Sequence, residues 1–232
     1  MWLLHHYPLC PFSRKVRLVL GEKRIAHDVV QSYPWESRPE FTALNPANQT
    51  PVLVWTEDAA NPDPQGRQIV LCDSTAIIEY FEETVGDTPV MGAGPLERAE
   101  VRRMVAWFDQ KFYAEAGVLL LQERMWHRLF QRQPPNTTTL RNALVSTDKH
   151  LGYVDHLIDT RRWIAGATFS LADITAAAHL SVADYLGGIE WDRHPVAKQW
   201  YLAVRSRRSF RPLLADRMPG LTPPAHYEQL DF

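Results

Sequence analysis

The stretch from Glu83 to Pro95 carries Gly86, Pro89, Gly92, Gly94 and Pro95, and the chain reads differently on its two sides. Glycine and proline at this density neither continue a helix nor hold a strand ladder, so the stretch divides the chain. Before it, short apolar runs alternate with helical signals; after it, apolar residues recur every three to four positions. The division predicts an α/β domain over 1–85, a linker over 86–95, an all-helical domain over 96–205 and a proline-containing tail over 206–232. A chain of 232 residues has enough material for two such cores.

In the first part, Trp2 to Tyr7, Ala26 to Gln31, Pro51 to Trp55 and Gln68 to Leu71 read as short strands. Thr56 to Arg67, rich in Pro, Asp and Gly, reads as a long hairpin loop. Pro11 suits the first position of a helix, where its missing N–H costs nothing. Asp73-Ser74 opens another helix with Ile77, Ile78 and Phe81 on its apolar side.

Cys10 thus falls between a strand and a helix N-terminus, with Arg14, Lys15 and Arg17 close behind. Positive charge and the helix end favour thiolate over thiol. Ser13 occupies the second cysteine position of the C-x-x-C pattern, so a redox reaction here needs an external thiol such as glutathione. The alternative is a small half-buried residue whose sulfur does no chemistry. Local sequence leaves both readings open.

Two cysteines, Cys10 and Cys72, are too few for a disulfide framework and fit a reducing cytoplasm. A formal charge of −2 gives no bulk attraction to nucleic acid, and no apolar run approaches the roughly 20 residues of a membrane span. The spacing of histidine, cysteine and acidic residues gives no metal site, since neighbours on a strand such as His5 and His6 face opposite ways.

In the second part, Val101, Met104, Val105, Phe108, Phe112, Leu119 and Leu120 keep helical spacing, with Gly117 as the expected bend. Pro134-Pro135-Asn136 ends this pattern, and Thr137 or Thr138 is expected to cap the next helix. Ser170-Leu171-Ala172-Asp173 matches a capping box, which gives Asp173 a structural task rather than a catalytic one. Four prolines after position 211 forbid a continuous helix in the tail, yet it keeps Phe210, Leu213, Leu214 and Leu221. These are expected to pack on the helical domain. The last six residues are assigned to a partner, with Tyr227, Leu230 and Phe232 as anchors.

The strand ending in Cys10-Pro11-Phe12-Ser13, the run Asn45 to Leu53, the pair Asp73-Ser74 and a helical second half with a capped Ser-x-x-Asp helix occur together. In this order they resemble the cytosolic glutathione transferase superfamily over roughly residues 1–205. The resemblance implies a thioredoxin-like domain with a mixed four-stranded sheet, followed by an all-α domain, in a homodimer. It further implies glutathione as cosubstrate and a cis bond before Pro51. Thr50 would pair with the cysteinyl unit, and Gln49, Asp73 and Ser74 would hold the γ-glutamyl end. Cys10 or Ser13 would then meet the sulfur. For Asp73, a plain helix cap is the competing role. Asn48 stands where the family commonly has glycine, which is expected to crowd the pocket, and Thr50 replaces the usual valine or isoleucine. The tail, His5 to Lys15 and Pro34 to Phe41 are similar to a branch of transferase-fold bacterial division proteins. That similarity implies dimeric binding to FtsZ filaments with glutathione chemistry reduced or absent. The family's alternative is a glutathione-dependent transferase or thiol transferase using Cys10 or Ser13.

Overall fold

A computed structural model describes residues 1–55 and 69–229, in two compact units, Met1–Pro89 and Val90–Phe232. The first unit begins with β1 (Trp2–His6), α1 (Pro11–Glu22) and β2 (His27–Gln31). The helix carries the crossover that lets β1 and β2 run parallel, with Leu4 opposite Val29. After a single 3₁₀ turn at Pro34–Glu36 come α2 (Pro39–Leu44), β3 (Val52–Trp55), β4 (Val70–Cys72) and α3 (Ser74–Thr84). β3 is antiparallel to β1 and β4 to β3, giving the sheet order β2-β1-β3-β4. The expected hairpin loop over 56–67 lies outside the described residues.

Leu4 and Leu53 face each other in the sheet centre and are fully buried, together with Val16 and Leu20 of α1 and Ile77 of α3. Pro11 does occupy the first turn of α1, and Cys10 is its N-cap. Arg14, Lys15 and Arg17 are buried rather than solvated, and the Arg14 guanidinium donates to the Pro8 carbonyl at 2.7 Å. The basic side chains behind Cys10 are therefore engaged in structure.

The second unit opens with α4 (Pro95–Ala106). The chain stays helical beyond it, through wide i→i+5 turns at Trp107–Gly117 and Gln122–Gln131 flanking the short α5 (Val118–Leu121). Gly117 keeps helical angles and does not break the rod; a Cβ there would lie 3.2 Å from the Tyr113 ring. The rod stops at Arg132, whose φ of 52° is left-handed. α6 (Thr137–Thr160) is capped by Asn136, which accepts from the backbone of Thr138 and Thr139, and not by the threonines themselves. Asparagine precedes the first helical residue and reaches both orphan N–H groups.

α7 (Leu171–Tyr185) starts in the predicted capping box, and every one of its residues is buried. Its alanines let neighbouring helices approach closely. α8 (Pro195–Arg205) and α9 (Arg211–Leu214) follow. Phe210, Leu213, Met218 and Tyr227 are buried, so the segment after α8 packs as part of its own unit. Among the described residues no helix is long and apolar enough to cross a membrane.

Candidate functional site

The loop before β3 and the start of α3 form the walls of a pocket of about 200 Å³ in the first unit. Gln49, Thr50, Pro51, Asp73 and Ser74 all line it, with Phe12 and Cys72. The Thr50–Pro51 peptide bond is cis. Asn45 shapes the loop: its side chain donates to the Gln49 carbonyl at 2.8 Å and accepts from the Ala47 N–H at 3.1 Å. Asn48 adopts a φ of 52°, a region asparagine tolerates better than most side chains. Its amide donates to the Pro34 carbonyl at 2.6 Å, so it ties the loop to the preceding turn and is not in the pocket wall. The expected crowding by Asn48 does not occur.

Asp73 caps α3 by accepting from the Thr75 N–H at 2.6 Å, and its own φ is 72°. Holding a non-glycine residue there costs on the order of 1–3 kcal/mol. Ser74 is buried at the helix N-terminus, where backbone N–H groups and the helix dipole suit a carboxylate.

Cys10 and Ser13 lie outside the pocket lining. The Cys10 sulfur is buried; it donates to the Thr50 carbonyl and accepts from the Ser13 N–H, at 3.5 and 3.4 Å. Burial pushes its thiol up from the ordinary value, outweighing hydrogen bonds that pull the other way. This corrects the expectation of a favoured thiolate: withdrawal from water penalises the charged form more than the helix end supports it. The Ser13 hydroxyl is fully buried and faces the Cys10 sulfur. Cys72, half-exposed in the pocket wall, escaped the sequence reading; its place directly before Asp73-Ser74 was the available signal. Burial and the neighbouring Asp73 charge raise its thiol as well.

Tyr227 is not a free anchor. Its ring stacks edge-on against Tyr185 at 5.1 Å, and Arg205 donates to its carbonyl at 2.7 Å. Leu230 and Phe232 lie outside the described residues.

The pattern described as "Glutathione S-transferase, N-terminal domain" matches residues 4–89, and "Glutathione S-transferase, C-terminal domain" matches 125–203. FtsZ-localized protein A of Caulobacter vibrioides is 49% identical over 229 residues, covering 99% of this chain and 97% of that one. The chain belongs to the glutathione S-transferase superfamily. Among solved structures, FzlA from C. crescentus superposes with a TM-score of 0.94 at 48% identity, over 100% of this chain and 99% of that chain. A glutathione S-transferase from Rhodospirillum rubrum F11 does so with a TM-score of 0.92 at 42% identity, over 100% of both chains. In this transferase fold the pocket residues come from the loop before β3 and the start of α3.

Proposed function

We propose that this protein is a dimeric, cytoplasmic regulator of bacterial cell division that binds FtsZ filaments, with its glutathione chemistry reduced or lost. The observation that carries the reading is the 49% identity to FtsZ-localized protein A, which runs over 229 residues and extends into the tail. A buried Cys10 thiol, pushed up by desolvation, supports the loss of thiol chemistry. Two identical subunits would bridge neighbouring filaments and turn weak single contacts into avid ones. The purified protein should co-sediment with GTP-assembled FtsZ. Removing residues 230–232 should weaken this severalfold with no change in melting temperature. Absence of co-sedimentation at low salt would refute the proposal, and a monomer in sedimentation velocity would refute the bridging.

A second reading, a glutathione-dependent transferase or thiol transferase, draws support from one specific feature. The cis Thr50–Pro51 turn, Gln49 and the Asp73-Ser74 pair line one pocket. There Ser74 suits the γ-glutamyl carboxylate and Asp73 the ammonium. Calorimetry with millimolar glutathione separates the two: no heat from folded protein leaves the second reading without a cosubstrate.

A further inference from the structure

The wide-turn helix Gln122–Gln131, the start of α6, the end of α7 and the residues after α9 enclose a second groove, of about 620 Å³, in the helical unit. This lies within the roughly 300–1,000 Å³ usual for small-molecule sites. Pro134, Pro135, Leu140, Leu221, Pro223 and Pro224 supply largely apolar and rigid walls. Two guanidiniums, Arg124 and Arg128, stand four positions apart on one helix and line the same groove.

Arg124 is half-buried and donates from Nη1 to the Leu186 and Gly187 carbonyls, at the C-terminal end of α7. Those carbonyls supply only the partial negative charge of a helix terminus. Among the described residues neither Arg124 nor Arg128 has a carboxylate within ion-pair distance. The one acid in the lining, Glu123, is committed elsewhere, accepting from His127 Nδ1 at 3.0 Å and the Asn136 N–H at 2.7 Å. Burial accordingly pulls Arg124 below its ordinary value. A half-buried cation without a counter-charge gains most from an anion that brings its own apolar body to displace water.

We propose that this groove is a binding site for an apolar carboxylate, with Arg124 and Arg128 taking the carboxylate and the proline-rich walls taking the hydrocarbon. The site is separate from the Thr50–Ser74 pocket and independent of both functional readings. Calorimetric titration of the full-length protein with 4-phenylbutyrate tests it, with 4-phenylbutanol as the uncharged control. Binding of the acid at least tenfold tighter than the alcohol is expected. Arg128→Gln, at an exposed position, should weaken the acid about fivefold or more and leave the alcohol unchanged; Arg124→Gln should weaken it further if its melting temperature is retained. Equal affinity for acid and alcohol, indifference to Arg128→Gln, or no binding at millimolar acid would overturn the proposal. So would a tenfold gain on deleting residues 230–232, which would make the chain's own terminus the occupant.

Discussion

Cys10 stands at the N-terminus of α1, where the helix end alone favours a thiolate, yet its sulfur is enclosed and the thiol is raised. Cys72 is also raised but reaches the pocket surface. Access therefore separates the two: with iodoacetamide at pH 8, mass spectrometry should find Cys72 alkylated at least tenfold faster than Cys10. Faster labelling of Cys10 would restore it as a reactive centre. Asp173 shows the same balance of burial over bonding. Its carboxylate accepts from the N–H groups of Ile164 and Ser170 and from Trp200 Nε1, at 2.9, 3.0 and 2.9 Å. Burial still lifts it to about 6 from the ordinary 3.8. Because the folded value is the higher one, folding takes up a proton. The penalty is absent below about pH 4 and grows as pH rises through 6. Asp173→Asn should cost about 2 kcal/mol, through a mismatched donor set, and should flatten stability between pH 4 and 6 in urea titrations.

At the scale of elements, α4 is tied to the end of α6 through Glu100. It accepts from Arg103, three positions on, and from Arg161, the residue that ends α6, at 2.7 Å each. The two guanidiniums hold its carboxyl at about 2, below the ordinary 4.5. A depressed folded value means stability that is present above pH 4.5 and is lost as pH falls toward 2. Glu100→Gln should lower the melting temperature at pH 7 and change it little at pH 2.5; an equal drop at both would show that the side chain acts through packing. The α6 start is fixed differently. Asn136 satisfies two orphan N–H groups after the Pro134-Pro135 pair has ended the preceding rod. Periodicity announced both helices, but the expected caps, Thr137 or Thr138, fall inside the helix that Asn136 opens. Cap choice depends on backbone angles that a one-dimensional pattern does not carry.

At the scale of the molecule, the segment after α8 is held by a buried polar cluster. Asp184 accepts from Trp191 Nε1 at 2.8 Å and pairs with His226 at 2.7 Å, while Arg205 lies 3.7 Å from its other oxygen. Arg205 then donates to the carbonyls of Tyr227 and Gln229, at 2.7 Å each. Asp184→Asn removes the counter-charge of a fully buried guanidinium and should cost about 3–5 kcal/mol. Trypsin should then cut after Arg217 while the remaining helical unit is still folded. Resistance equal to the wild type would mean that apolar contacts of Phe210 and Leu213 alone hold the segment.

Gly-Pro punctuation and the change of periodicity marked an α/β unit off from a helical one, and the chain does fall into two units at Pro89. The turn, cap and strand signals are local, but the grouping of Gln49, Thr50, Pro51, Asp73 and Ser74 was implied by the family resemblance, and the five do line one pocket. Cys10's burial, the direction of the Asn48 side chain, the internal packing of Tyr227 and the uncompensated Arg124 groove were decided only by the tertiary structure. Each depends on residues tens of positions away that remove water from a side chain, and desolvation is a property of the fold rather than of any neighbouring sequence.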